Sequence, residues 1–247
     1  MSPAVRTSKS QPKKPKASSS PKRAPRRRLP PAERRIQIVA AAKALFAAGG
    51  LERVTMRNIA RRVGITQAAI YQHFEGKEAV LFAIAEDFFS DLIADSEKMA
   101  AEATDPVDWL TRAMRSYVEV GFSHPDEYRL VFMTNVPGFE RHGRHRSVPG
   151  QTLPIQPSKG AIAFGYLQDQ VRDLIARGHI RPGDPELVAE AIWAAGHGLV
   201  SLMITHADFP WSREALIETQ IRILLGGLLP EGSPMRPGLQ PGKAPKA

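Results

Sequence analysis

Hydrogen-bonding and cationic side chains are concentrated between residues 55 and 77, in the segment TMRNIARRVGITQAAIYQHFEGK. Threonine and glutamine can hydrogen-bond to the edges of DNA bases, and an alanine methyl suits the methyl group of thymine. Tyrosine, histidine and lysine are suited to phosphate oxygens, which position a protein on the duplex without reading its sequence. The segment therefore predicts contacts to DNA from nine residues: Thr55, Arg57, Thr66, Gln67, Ala68, Tyr71, Gln72, His73 and Lys77.

Two short helices joined by a tight turn would position these side chains. An apolar stripe recurs at helical spacing in the first helix, which ends at Gly64, where glycine allows the left-handed conformation of a helix C-terminus. Thr55 and Thr66 can cap the first and the second helix. Ile70 would pack the second helix, from about Thr66 to His73, against the first. This arrangement is a helix-turn-helix, which places its second helix in the major groove of DNA.

Several of these residues also have a purely structural interpretation. Tyr71 could be a half-buried core aromatic, and Arg61 and Arg62 could form a solvated face, as most charged faces do. The apolar stripe, the glycine turn and the polar outer face occur together, however, and this combination favours DNA binding.

The stretch from Ile36 to Ile84 resembles the N-terminal domain of the tetracycline-repressor (TetR) family of bacterial transcription regulators. The resemblance is carried by RRIQIVAAAKALFAAGGLERVTMRNIA and by RRVGITQAAIYQHFEGKEAVL, with its YxHFxxK ending. It implies a three-helix DNA-binding module in which Tyr71, His73 and Lys77 contact the DNA backbone. Ala69 departs from the pattern, because a hydroxyl residue often stands at that position in the family.

Composition excludes several other classes of protein. The 247 residues include no cysteine, so neither a disulfide framework nor a thiolate metal site can form. We find no phosphate-binding glycine loop and no nucleophile motif, and His142 and His145 lack the carboxylates that a metal site would add. No uninterrupted apolar run reaches membrane length, and no secretory signal is present. We expect a cytoplasmic protein that is not an enzyme and has no cofactor, metal or membrane partner.

Positive charge is concentrated at the N-terminus. Residues 1–30 contain ten lysines or arginines and no acidic residue, while the net charge of the whole chain is +9. Their proline and serine content predicts a disordered tail, which could contact DNA or only aid solubility. Together with the family resemblance, this composition predicts a disordered basic tail at 1–30, a DNA-binding domain at 31–78 and a disordered tail at 231–247. The resemblance implies that residues 79–230 form a helical effector-binding and dimerisation domain.

Helical periodicity runs through the rest of the chain, so the predicted fold is all-α, with a three-helix head and a larger helical C-terminal domain. We predict helices at 31–48, 77–103, 106–122, 126–135, 158–177, 184–205 and 212–229. The intervening segment 136–157 is rich in glycine, proline and basic residues and is predicted to be a loop.

The last two predicted helices carry apolar stripes suited to a homodimer. Two such helices from each subunit can form a four-helix bundle around a twofold axis. An intramolecular core would use the same pattern, but the family resemblance favours the dimer. The predicted interface residues are Val188, Ile192, Ala195, Leu199, Leu202, Ile217, Ile221, Leu224 and Leu228.

Aromatic residues in the C-terminal domain could line an effector cavity. In the TetR family this domain binds a small molecule, and mostly apolar walls favour a small hydrophobic effector. Core packing would explain the same residues. The segment IWAAGHGLVSL also resembles a Trp-His-Gly subclass of C-terminal domains. The predicted lining residues are Trp109, Tyr117, Phe122, Tyr128, Met133, Phe164, Trp193 and His197.

Together these patterns predict a homodimeric transcriptional repressor that a small-molecule effector releases from a palindromic operator on double-stranded DNA. One alternative is a helical small-molecule-binding protein or enzyme whose basic head is incidental. Another is a non-specific architectural DNA binder.

Overall fold

In a computed structural model, residues 29–136 and 158–233 are described, and within them the fold is entirely helical. The all-α prediction is therefore confirmed. The tails at 1–28 and 234–247, and the predicted loop apart from Val136, lie outside the described residues. The helices are Pro31–Ala47 (α1), Gly50–Arg53 (α2), Met56–Val63 (α3), Gln67–Tyr71 (α4), Lys77–Glu102 (α5), Pro106–Ser123 (α6), Pro125–Tyr128 (α7), Lys159–Ala176 (α8), Pro185–Thr205 (α9) and Arg213–Leu228 (α10).

Three details differ from the predicted helices. The turn α2 was not predicted, because Gly49 and Gly50, where it begins, indicated only the end of α1. Helix α4 ends at Tyr71, two residues early, since the N–H groups of His73 and Phe74 both donate to Ile70 O at 2.8 and 3.0 Å and close a turn. The predicted helix at 126–135 is split into α7 and a π-helical turn, Arg129–Met133.

The head has a core of its own, built from α1 to α4 and the first half of α5. Ile38, Ile59, Ile70 and Ile84 are fully buried there. Burying large aliphatic side chains is the main stabilising contribution in a module of this size. Because α5 packs in the head as far as Ile84, the head core extends past residue 78.

A second core lies among the later half of α5 and helices α6, α8, α9 and α10. Close approach of α6 and α9 depends on Gly121, where an added Cβ would lie 2.7 Å from Val200 Cγ1. Phe88 from α5 is buried in this core, so α5 is shared by both parts of the molecule.

In the described part of the chain, α9 is the one helix long and apolar enough to cross a membrane by length and composition. Glu186 and Glu190 interrupt its apolar sequence, and it packs against α6, α8 and α10. A helix in the core of a folded protein meets the same criteria of length and composition.

Candidate DNA-binding surface and effector cavity

Local hydrogen bonds shape the helix-turn-helix as the sequence predicts. Thr55 Oγ1 accepts from the Asn58 N–H at 3.1 Å, and Thr66 Oγ1 accepts from the Ala69 N–H at 3.2 Å. Gly64 adopts φ 76° and ψ 37°, the left-handed conformation that ends α3. Both predicted caps and the glycine turn are confirmed. The short turn between them sets the angle at which α4 leaves the head.

Helix α4 has one buried and one exposed side. Ile70 is fully buried against the head core. On the outer side, Gln67 and Tyr71 lie one turn apart and share a face, and Tyr71 is 51% exposed. The predicted contact residues with exposed side chains are Thr66, Gln67, Ala68, Tyr71, Gln72 and, on α3, Arg57. The structure therefore brings the predicted base-reading residues together on one accessible edge.

The remaining predicted contacts, Thr55, His73 and Lys77, are half-buried. The hydroxyl of Thr55 is already occupied as a helix cap. Lys77 Nζ donates to Leu51 O at 3.2 Å, so this lysine also ties the start of α5 to α2. Helix α5 begins without a side-chain cap at Gly76, which leaves N–H groups of its first turn directed outwards, a favourable environment for a phosphate oxygen.

Arg35 is a part of the head that sequence reasoning missed. Its guanidinium donates to His73 O and lies 4.0 Å above the centre of the Phe74 ring. The contact joins α1 to the turn after α4 and so fixes the C-terminal end of α4, the second helix of the helix-turn-helix. Because the two segments are 38 residues apart, no local pattern could have indicated this contact.

The C-terminal domain contains a partly open cavity of about 800 Å³ between α5, α6, α8, α9 and α10. Four predicted effector residues line it: Trp109, Tyr117, Phe164 and Trp193. Phe89, Phe132 and Tyr166 add further aromatic wall. The cavity has the size and apolar character of small-molecule sites in proteins.

The other four predicted effector residues do not line this cavity. Tyr128 is fully buried, and His197 bonds to it. Phe122 lies beneath the Arg213 guanidinium at 3.9 Å, and Met133 is 41% exposed at the surface. Tyr128, His197 and Phe122 are engaged in contacts within the domain, and Met133 lies at the surface. Periodicity identifies the helix face of a residue but not what that face meets.

A chain of hydrogen bonds leads from the cavity wall into the core. Trp193 Nε1 donates to Tyr117 Oη at 3.1 Å, Tyr117 Oη lies 3.2 Å from Tyr128 Oη, and Tyr128 Oη lies 2.6 Å from His197 Nδ1. Both hydroxyl protons are used if Tyr117 donates to Tyr128 and Tyr128 donates to His197, which places the histidine proton on Nε2. These hydrogen bonds therefore link two cavity-lining residues, Trp193 and Tyr117, to two residues behind the wall, Tyr128 and His197.

Burial shifts the ionisation of this chain towards the neutral forms. Desolvation raises the pKa of Tyr117 and the pKa of Tyr128, and it lowers the pKa of His197. All three side chains are therefore neutral at neutral pH, as the directed hydrogen bonds require.

The segment after Tyr128 connects this core to the head. Leu130, in the π-helical turn, packs in the head core, two residues after a residue of the C-terminal core. Lys43 of α1 also lies 3.6 Å from Glu127 and 3.9 Å from Asp87. The α7 region thus touches the cavity-linked core on one side and the DNA-binding head on the other.

The predicted interface residues fall into three groups. Ile192, Leu199, Ile217 and Ile221 are buried in the core of a single chain. Leu202 is 52% exposed. The half-buried members are Val188, Ala195, Leu224 and Leu228.

A helix-turn-helix head joined to a helical domain with a cavity defines a DNA-binding transcriptional regulator. Residues 38–84 match the family described as bacterial regulatory proteins, tetR family, and residues 110–224 match the tetracyclin repressor-like C-terminal domain. The chain belongs to the tetR family. These matches do not distinguish the Trp-His-Gly subclass, which stays a prediction.

Relatives with assigned names are transcription regulators. The chain is 26% identical over 207 residues to the transcriptional activator FasR of Mycolicibacterium smegmatis, covering 81% of this chain and 85% of FasR. It is 26% identical over 220 residues to the transcriptional repressor KstR2 of Mycobacterium tuberculosis, covering 81% of this chain and 94% of KstR2.

Solved structures show the same fold. The ketosteroid transcriptional regulator KstR2 of Mycobacterium tuberculosis superposes with a TM-score of 0.58 at 21% identity, over 80% of this chain and 96% of that one. FadR of Bacillus subtilis, solved in complex with stearoyl-CoA, superposes with a TM-score of 0.59 at 18% identity, over 78% of this chain and 98% of that one.

Proposed function

We propose that this regulator is a homodimeric repressor that binds a near-palindromic operator and leaves it when a small apolar effector fills the cavity. The observation that carries the proposal is the connection between cavity and head. Two cavity-lining residues begin a hydrogen-bond chain to the core: Trp193 donates to Tyr117, and Tyr117 is hydrogen-bonded to Tyr128. The turn that follows Tyr128 packs into the head core. A ligand that moves this wall would therefore act on the position of the head.

Release requires that the effector prefer one arrangement of the two heads over another, because a ligand shifts an equilibrium only by its difference in affinity for the two states. In a dimer, two recognition helices must enter successive major grooves about one helical turn apart. A small change in their separation is enough to weaken binding to one face of the duplex.

The proposed DNA contacts divide into two kinds. Gln67 and Ala68 on α4, and Gln72 directly after it, are exposed and are proposed to meet base edges. Tyr71 and Lys77 are proposed to bind phosphate oxygens, with Lys77 held in place by its bond to Leu51 O.

The proposed dimer uses the outer faces of α9 and α10. Leu187 and Leu202 on α9, and Ile223 on α10, are 62%, 52% and 68% exposed. Large apolar side chains on two adjacent helices are a surface that a second copy would cover. The four predicted interface residues that lie in the single-chain core would support this surface from behind.

The relatives support an effector with a large apolar part, and we expect a DNA-binding regulator of this family in the cytoplasm. FadR was solved with stearoyl-CoA, and KstR2 is named for ketosteroid regulation. For the present protein, the apolar walls of the cavity are the supporting observation.

Footprinting on DNA from its source organism would identify the operator, and gel-shift titrations at several salt concentrations would then test the contacts. Lys77→Ala should weaken binding to all sequences and reduce the salt slope by about 1, whereas Gln67→Ala should alter sequence preference. Lys98→Ala, an exposed lysine far along α5, is the matched control. Absence of any selective footprint, or a uniform loss for Gln67→Ala, would contradict these assignments.

A further inference from the structure

Within residues 29–136 and 158–233, the cavity wall contains no cationic side chain that could bind an anionic ligand. No lysine, arginine or histidine is among the described residues that line it, and Glu86 is the one ionisable carboxylate there. Its Oε1 accepts from the backbone N–H of Lys159 at 3.0 Å, at the first turn of α8. A helix N-terminus stabilises a carboxylate, so the charge of Glu86 is already compensated within the protein.

Most polar groups in the wall are committed to internal hydrogen bonds. Ser96 Oγ donates to Leu92 O at 2.9 Å, and Ser158 Oγ accepts from the Ala161 N–H at 3.3 Å. Gln168 and Gln220 donate through their amide nitrogens to Glu186 and to Ala195 O. Tyr117 and Trp193 are engaged in the chain described above. These groups hold the walls together.

Two aromatic neighbours in the wall retain unused hydrogen-bond donors. Trp109 is 5% exposed, and its indole N–H has no acceptor among the described residues. Tyr166, whose ring lies edge-on to Trp109 with 6.0 Å between centroids, also has no hydrogen-bond partner for its hydroxyl within 29–136 and 158–233. The Trp109 indole N–H is a buried donor without a partner, which is unfavourable, and nearly all such groups in folded proteins find an acceptor. Tyr166 is half-buried, and its hydroxyl is available to a ligand in the cavity.

We propose that the cavity takes an uncharged, largely apolar carbonyl compound, such as an ester, lactone, ketone or amide, whose carbonyl oxygen accepts a hydrogen bond from Tyr166 or Trp109. This inference rests on the proposed function, since it assigns a chemical class to the same effector. A carboxylate would lose its hydration without gaining a cation, and a pure hydrocarbon would leave both donors unused.

The test measures binding to the full-length protein without DNA, by thermal shift and by the fluorescence of its tryptophans. Two scaffolds are compared, each as ester, carboxylate and hydrocarbon: methyl decanoate, decanoate and decane, and methyl 2-naphthoate, 2-naphthoate and naphthalene. In at least one scaffold the ester should bind about 100-fold more tightly than the carboxylate and about tenfold more tightly than the hydrocarbon.

Two variants locate the donor. Either Tyr166→Phe or Trp109→Phe should lower the preference for the ester over the matched hydrocarbon about tenfold. Tyr166→Phe removes only the hydroxyl, whereas Trp109→Phe also shortens the ring, so the ratio of the two affinities is the quantity compared. Trp211→Phe is the matched control, since the Trp211 indole N–H bonds to His206 O at 2.9 Å and the residue does not line the cavity. It should leave every affinity unchanged.

The proposal is overturned if a carboxylate or a hydrocarbon binds as tightly as its ester, if neither ring variant reduces the preference for the ester, or if no ester binds at about 1 mM. An ester that binds as expected but does not release operator DNA contradicts the proposed function and leaves the ligand class standing. The two failures are thus distinguishable.

Discussion

Tyr128→Phe removes one oxygen from the centre of the hydrogen-bond chain and leaves the ring in place. The lost contacts are those to His197 Nδ1 at 2.6 Å and to Tyr117 Oη at 3.2 Å. Packing on Phe132, with ring centroids 4.8 Å apart, does not depend on the hydroxyl. The variant therefore isolates the polar contribution of a side chain that is fully buried.

The expected loss of stability follows from these contacts. A typical hydrogen bond contributes about 0.5–1.5 kcal/mol net, and a buried donor left without an acceptor, here the Tyr117 hydroxyl, costs about 1–3 kcal/mol. We expect the free energy of unfolding to fall by about 2–4 kcal/mol. For a protein of this size that corresponds to a lowering of Tm by roughly 4–16 °C.

Thermal melts at fixed protein concentration would measure the change, with Tyr71→Phe as the control. The Tyr71 ring is 51% exposed, so losing its hydroxyl should change stability by less than about 0.5 kcal/mol. Operator affinity without effector should be preserved in Tyr128→Phe, whereas effector-induced release should weaken. A Tm as high as that of the control would refute the role given to the chain, and full release by effector would refute its coupling to the head.

Three further changes have expected outcomes. Gly121→Ala should destabilise the protein by about 1–3 kcal/mol through overpacking against Val200, while Gly165→Ala, with open space around it, should not; chemical denaturation of both variants compares them. Gly64→Ala should cost about 1–2 kcal/mol, because the φ of 76° is strained for alanine, and should weaken operator binding in gel shifts. Burial lowers the pKa of His197 below the ordinary 6.5, so the unfolded chain binds the extra proton first and stability should fall as pH drops below that value. Urea titrations between about pH 7.5 and 5.5 should show a weaker dependence in His197→Asn; an unchanged slope would contradict the assignment.

Local chemistry explains why the helix-turn-helix could be predicted from the sequence. Thr55 and Thr66 cap helices through hydrogen bonds that span three residues, and Gly64 ends α3 through its own backbone conformation. None of these interactions needs a distant part of the chain. The exposed side of α4 follows in the same way, because Ile70 identifies the buried side and helical spacing gives the opposite one.

The cavity and its connection to the head depend on contacts between residues far apart in the chain. Trp109 and Tyr128 are both aromatic residues that the sequence placed in the cavity wall. In the structure Trp109 lines the cavity, whereas Tyr128 is buried in the core beside it. Likewise Ile192 and Leu202 are apolar residues of one helix, but the first is in the core and the second is exposed. Periodicity determines which residues share a helix face, whereas the packing of the other helices decides whether that face meets a core, a cavity or solvent.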